Sequence, residues 1–438
     1  MNASAFKLTG SEYKTNWPLL LLIVIMPLRN IQLQYIPNLG GGLNAINILF
    51  LLALFHSFMY GRTLENKPKI NNMLTWYILT SIIALVFGYS YLGNSSSGLW
   101  KAMKDSLIPV FMLFIVQRSV QDDIQWRRVL VAMLISLPYC FKVVWTQYKS
   151  VASWHYSHDL RISGTFMDLG ANEMGAFSVM MALISLGCLI STWSMKNWRV
   201  FFSICFICAS LSLLYSYSRG GYISYLLGAL VIILNFKHRK KLYIPLIIVS
   251  IIFLFNLPKS VEERFSTINA SDEERDESAD SRFVFWGIVL EKFYERPIQG
   301  YGYHTAQDKR INPHEMDTHN YYVKMLVERG LIGFFMLIFL LFAIKNLIKE
   351  KLKQTDMDAI KYGLILGMLG AWYALVLGNM FGDRFSHYPI STNLWMAVAL
   401  ISIIKDKSIN IESSSNISEL EVFNREEVAR GYINEFNK

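Results

Sequence analysis

The chain has 438 residues, 53% hydrophobic and only 17% charged, with a formal charge of +9. A soluble domain would be about a quarter charged, so the composition excludes an ordinary soluble protein and points to lipid. The positive balance sits in loops between apolar blocks, and no nucleic acid is expected as a partner.

About twelve apolar blocks are long enough to cross a hydrocarbon core of about 30 Å, which takes roughly 20 helical residues. They lie near residues 17–35, 43–60, 74–92, 104–118, 128–148, 174–192, 198–217, 221–236, 242–257, 331–348, 360–381 and 389–405. The fourth is short and the eighth abuts a polar tight turn. The first follows a polar segment with no small-residue cleavage site, so it reads as a span and not as a removed signal peptide. The expected fold is therefore an all-α polytopic membrane protein with about 12 transmembrane helices and one large outward-facing loop containing amphipathic helices. The expected division is a membrane domain over 1–257 holding spans one to nine, the long loop over 258–330, a second membrane part over 331–405 holding spans ten to twelve, and a cytoplasmic tail over 406–438. The tail's "ESSSN" and mixed charge mark it as partly disordered.

Lys and Arg recur in alternate loops: Arg62, Lys67 and Lys69; Arg118, Arg127 and Arg128; Lys196 and Arg199; "KHRKK" at 237–241; Lys345 to Lys353; and Lys405 with Lys407. The positive-inside rule puts these loops and both termini in the cytoplasm. The segments 149–173, 218–221, 258–330 and 382–388 then face outward. Cys140, Cys188, Cys205 and Cys208 all fall inside expected spans. Cys205 and Cys208 form a C-x-x-C, but no second pair or nearby His completes a metal or redox site, so small apolar packing is the expected role.

Three outward stretches hold residues that break the local rules. In "YSYSRGGYISY" (215–225), Arg219 sits at a tight hairpin at the membrane surface, where a cation needs a cavity, a partner or a snorkelling path to water. In "DSRFVFWGIVLEKFYERPIQGYGYH" (280–304), Asp280 or Ser281 is a suitable N-cap. Apolar residues then recur at helical spacing until Pro297, Gly300 and Gly302 stop the run. Trp286 and Phe293 of this amphipathic helix suit a membrane interface. Arg282 falls in its expected first turn, beside free backbone N–H groups that favour an anion; pairing with Asp280 or a nearby Glu is the plain alternative. In "DTHNYYVKMLVERGLIG" (317–333), His319 stands at the start of a helix, where it is a candidate base or a candidate cap. Lys324 and Glu328 are spaced to pair on that helix. No acidic cluster is placed to hold a metal, and "DEERDE" at 272–277 reads as a solvated loop tip.

These segments, in this order and on this side, resemble the O-antigen ligase and O-antigen polymerase superfamily. S-R-G-G lies between two spans; S-R-x-x-x-W and P-x-x-G-x-G follow in a long outward loop; H-N and then E-x-G-x-x-G lead into a span. The resemblance is carried by Arg219, Ser281, Arg282, Trp286, Pro297, Gly300, Gly302, His319, Asn320, Glu328, Gly330 and Gly333, and by Gly164, Phe166 and Asn172 in "RISGTFMDLGANEMGAF" at 161–177. Motifs cover roughly residues 155–340. The resemblance implies a bacterial inner-membrane glycosyltransferase, with catalytic motifs in a periplasmic 258–330 loop. It would move a glycan from an undecaprenyl-diphosphate carrier to a sugar hydroxyl of a lipid-linked repeat unit or of lipid A–core, in O-antigen, capsule or exopolysaccharide synthesis. It further implies diphosphate binding by Arg219 and Arg282, acceptor activation by His319, support from Asn320, Trp286 and Arg161, and the polysaccharide export machinery as a protein partner. Arginine's planar fork matches a diphosphate and never loses its charge, so neither metal nor cofactor is expected, and a single displacement would invert the anomeric centre. The alternative class is a secondary transporter or a flippase of lipid-linked oligosaccharide. Such folds usually carry internal repeats, and the chain has no self-similar halves.

Overall fold

A computed structural model of the protein describes residues 10–36, 44–63, 68–93, 98–150, 161–238, 277–315 and 317–405. The ninth apolar block, the last three residues of "KHRKK", all but the final residue of "DEERDE" and the tail 406–438 lie outside the described residues. Every regular element among those described is a helix: α1 (Trp17–Ile25), α2 (Arg29–Tyr35), α3 (Ala45–Tyr60), α4 (Lys69–Leu92), α5 (Leu99–Ser119), α6 (Asp123–Leu134), α7 (Leu137–Ser150), α8 (Ala171–Ser191), α9 (Lys196–Tyr215), α10 (Arg219–Asn235), α11 (Glu277–Glu295), α12 (Tyr321–Leu352), α13 (Ala359–Gly378) and α14 (Tyr388–Ser402).

Among the described residues six stretches are long and apolar enough to cross a membrane: α4, α6 with α7 over Asp123–Ser150, α8, α9, α12 and α13. The first apolar block is not one straight span, because α1 and α2 meet at 100°. Pro27 lies in the bend, where it cannot donate to a continuing helix. If that pair counts as one span the number is seven. Helices α3, α5, α10 and α14 coincide with the other described blocks but fall short of full-span length or hydropathy. Among the described residues the fold is thus all-helical with six candidate spans, or seven with the bent pair. Large apolar side chains cover its outside, as on α3 (Leu51, Phe55, Phe58) and α4 (Trp76, Ile83, Val86). Contiguous apolar surface of this kind suits a lipid solvent.

The interior is built on α8, α13 and α14. Helix α8 packs most extensively against α13. Their backbones meet at Gly187, where an added Cβ would stand 2.4 Å from the Gly367 nitrogen and 2.5 Å from the Gly363 carbonyl oxygen. Small residues allow this approach in a bundle that lipid cannot drive together. Almost every side chain of α14 is buried, and the Trp126 indole N–H donates to the Leu400 carbonyl at 3.0 Å. Cys140, Cys188 and Cys205 are buried and Cys208 half-buried, all as free thiols, in keeping with an apolar packing role.

Loops assigned to different sides by charge meet at different ends of the bundle. Arg127 pairs with Asp358 at 3.0 Å and Lys361 with Asp123 at 2.7 Å, at the start of α13. Arg384 pairs with Glu173 just beyond the other end of that helix. Twenty residues of α13 separate the two ends, about 30 Å.

One irregular feature positions the site. Helix α12 breaks at Gly330, which has φ 61° and ψ −166°. Backbone groups freed at such a break need partners in an apolar bundle, and residues 297–302 supply them. Tyr301 N–H donates to the Val327 carbonyl and Gly302 N–H to that of Glu328, both at 2.8 Å, while Leu331 N–H donates to the Pro297 carbonyl at 2.8 Å. Tyr303 N–H then reaches the Ala84 carbonyl of α4 at 2.7 Å. Gly302 has φ 108°, and a Cβ there would lie 1.9 Å from the Gly88 nitrogen. We therefore expect Gly302→Ala to cost about 3 kcal/mol from overpacking and left-handed backbone together, read as a lowered thermal midpoint of the purified protein.

Candidate functional site

Helix α11 differs from its expected form. Its described part is Glu277–Glu295, so neither Asp280 nor Ser281 is its N-cap, and Arg282 lies beyond the first turn. The free N–H groups expected beside Arg282 are therefore not there. Trp286, Val289 and Phe293 share one face of α11, at spacings of three and four. Val289 is buried against Tyr301, Ile311, Val323 and Val327, with Trp286 and Phe293 packed around them. Those two aromatic side chains, expected at a lipid interface, instead clamp α11 to α12. Phe283, Val284 and Tyr294 are exposed on this helix.

The clamp sets the position of His319. The Trp286 indole N–H donates to the Thr318 carbonyl at 2.7 Å. Asn320 is the N-cap of α12, its side-chain oxygen accepting from the N–H groups of Tyr322 at 3.0 Å and Val323 at 3.3 Å. The capping role left open for His319 thus belongs to Asn320. Between these two anchors His319 has φ 48°, left-handed backbone that a non-glycine residue adopts only under constraint. Its side chain is 46% accessible, and Nδ1 stands 3.6 Å from Asp317 Oδ2. Asp317 thus stands on the Nδ1 side of the ring, beyond hydrogen-bond distance.

Four charged neighbours act on this imidazole. Partial burial lowers its proton affinity below the usual 6.5. Asp317 and Glu173 oppose that shift, and Arg282 and Arg384 reinforce it. His319 is therefore largely neutral at neutral pH, the form in which it can accept a proton.

Arg219 and Arg161 belong to an adjoining group. Ser218 caps α10, its Oγ accepting from the Gly221 N–H at 3.3 Å, and Arg219 is the first helical residue. Ser218 Oγ also donates to Asn172 Oδ1 at 3.2 Å, and Arg161 donates to the same oxygen. A small cleft is lined by Asn172, Ser218, Gly220, Phe381 and Arg384. Glu173, next to Asn172, pairs with buried Arg384 and lies 3.6 Å from His387 Nε2. Glu173 and Arg384 thus bridge the Arg219–Arg161 group to the His319–Arg282 group. All four segments expected on the outward side contribute to this one region.

Sequence reasoning missed Asp317, Glu173 and Arg384. Arg384 carried a legible signal, as another cation in a segment expected outside, where the charge rule disfavours one. Lys324 pairs with Asp383, not with Glu328 as its helical spacing predicts; burial would raise the Asp383 carboxyl, but the Lys324 ammonium outweighs it and holds it below the ordinary range. Among the described residues no group of three His, Cys, Asp or Glu side chains is placed to hold a metal ion.

Residues 204–338 match the family model described as O-antigen ligase. That stretch contains Arg219, Arg282, Trp286, His319 and Asn320, and leaves out Arg161, Glu173 and Arg384. An uncharacterized protein of Haemophilus influenzae is 28% identical over 205 residues, 40% of this chain and 51% of the relative. A Rickettsia conorii protein named "Putative polysaccharide ligase" is 23% identical over 210 residues, 43% of this chain and 47% of the relative. The chain spans about half the length of these two curated relatives. The apolar helices indicate a multi-pass membrane protein. Its residues 204–338, which hold Arg219, Arg282 and His319, are similar to the O-antigen ligase family model.

Proposed function

We propose that the protein transfers a glycan from an undecaprenyl-diphosphate carrier to a sugar hydroxyl of a second lipid-linked glycan or of lipid A–core, on the periplasmic face of the bacterial inner membrane. The observation that carries this reading is the meeting of a neutral imidazole, beside Asp317, with Arg282 and Arg384 inside and beside the family-matched segment. The His319 Nε2 lone pair takes the proton of the acceptor hydroxyl as its oxygen attacks the anomeric carbon. The bond from that carbon to the diphosphate oxygen breaks, and the leaving diphosphate keeps the electron pair. Arg219 and Arg282 match its growing charge with forked donors, which act most strongly where water is excluded. Attack opposite the leaving group inverts the anomeric centre, and fixed guanidinium charge takes the role a metal would otherwise fill.

Glutamate and arginine outside the matched segment complete the site. Glu173 and Arg384 join the 161–173 and 382–388 segments beside the histidine. The test is direct: purified protein in proteoliposomes with a lipid-diphosphate-linked glycan and its acceptor, without any ion gradient and with EDTA present. Chain elongation or transfer to the acceptor is the expected result. Substrate movement without a new glycosidic bond would instead make the protein a carrier, and loss of transfer restored by magnesium would place a metal in the reaction.

A further inference from the structure

The proposed chemistry leaves the buried cation Arg329 unused. Arg329 lies in α12 immediately before the break at Gly330 and is 5% exposed. One of its nitrogens donates to Ser81 Oγ at 2.6 Å, and its guanidinium carbon is 5.2 Å from the ring centroids of both Tyr77 and Tyr303. Its Nε has no hydrogen-bond partner. Among the described residues no carboxylate comes within ion-pair distance of it, and the neighbouring Glu328 turns away to accept from the Ala306 N–H at 3.4 Å. An ionised group inside a membrane bundle is costly without a counter-charge and marks a functional position by default.

This guanidinium stands on the wall of a cavity with about 670 Å³ of empty space, its open mouth included. The cavity has two chemically distinct parts. Around Arg329 lie the hydroxyls of Tyr77, Ser81, Ser106, Tyr303 and Tyr321. The remainder is lined by aliphatic side chains of α5, α12 and α14, among them Leu107, Leu337, Ile344 and Leu394. Tyr321, two residues after His319, bonds Tyr77 through their hydroxyls at 3.0 Å and packs edge-on against Phe385 at 5.5 Å. Burial pushes the Tyr303 phenol up to about 12, so it stays neutral, and its hydroxyl donates to the Ala102 carbonyl at 3.0 Å. A guanidinium offers donors only, and the Nε of this one has no partner, so the complementary group is one rich in acceptor oxygens and negatively charged. The aliphatic remainder has no use for a wholly polar ligand.

We propose that the Arg329 cavity is a second anion site, separate from the Arg219–Arg282 region, that takes a phosphate group borne on an apolar chain. The site requires only binding and stands independently of the glycan-transfer reading. Phosphate is the shared chemistry, and it has two sources, an amphiphile or the free anion.

Calorimetric titration of the purified full-length protein, in a neutral detergent, separates them with three probes: n-decyl phosphate, n-decanol and inorganic phosphate. Decyl phosphate should bind at least about tenfold more tightly than decanol, and Arg329→Gln should remove that advantage. Arg329-dependent binding of inorganic phosphate at equal affinity would keep the anion site and assign its occupant to the free ion. Equal affinities for decyl phosphate and decanol, or equal binding of decyl phosphate by wild type and Arg329→Gln, would overturn the proposal. If Arg329→Gln does not fold, Met103→Trp serves in its place, narrowing the cavity from α5 while the guanidinium remains. It must weaken decyl phosphate by about tenfold, and unchanged binding overturns the site. Transfer activity is not part of the readout, so failure here leaves the proposed reaction standing.

Discussion

Replacing His319 by alanine or glutamine should lower glycan transfer by roughly 10²–10⁴-fold while leaving donor binding largely intact, because a general base acts mainly in the transition state. The structure makes this separable from a folding defect. Asn320 caps α12 and Trp286 holds Thr318, so neither anchor is lost with the imidazole. His319→Gly goes further, since glycine accepts φ 48° without the roughly 1 kcal/mol that an L side chain spends there. That variant should be at least as stable as wild type and equally inactive. The pH profile carries its own sign. Only neutral His319 is a base, and burial lowers its proton affinity, so activity should be half-maximal below pH 6.5 and flat above it. Asp317 raises that affinity and Arg282 lowers it. The acid limb should therefore move to lower pH in Asp317→Asn and to higher pH in the residual activity of Arg282→Lys if the lysine ammonium sits farther off. A stable His319→Ala protein with near wild-type transfer would remove the base from the mechanism.

The second large effect is expected at the two arginines. Arg219→Ala and Arg282→Ala should each cost roughly 10²-fold or more in transfer, as truncation leaves a diphosphate oxygen without its charged partner. Lysine at either place keeps the charge, loses the fork and should retain a small residue of activity. The folded state is checked by thermal unfolding beside the assay. Arg219 stands at the first position of α10 behind a Ser218 cap that does not depend on it, so its loss should hardly change stability. Full transfer by both alanine variants would show that the diphosphate is bound elsewhere, and the Arg329 cavity would then be the first place to look.

Much of the site was legible in the chain as local chemistry. Arg219 was marked by a Gly-Gly turn between two apolar runs, Arg282 by a cation on an amphipathic helix, and His319 by its place before a helix. Each signal spans only a few residues, which is why sequence carried it. The glycines of P-x-x-G-x-G and E-x-G-x-x-G were visible in the same way, but not their common purpose. They let residues 297–302 insert into the break of α12 at Gly330 and satisfy its freed carbonyls and N–H groups.

The sequence by itself determined that the protein is helical and lipid-facing, where most of its helices lie, and in what order the chemically active residues come, because hydropathy, turn formation and capping are decided within a dozen neighbouring positions. Only the tertiary structure decided which of these residues meet. Glu173 and Arg384 are 211 positions apart and Lys324 and Asp383 are 59 apart. Pairs this distant are set by how α8, α12 and α13 pack, and helical spacing can even mislead, as it did for Lys324 and Glu328. The bends followed the same rule. Pro27 lies at the 100° bend between α1 and α2, whereas Pro109 stays inside α5, so proline in the sequence did not by itself mark where a helix breaks.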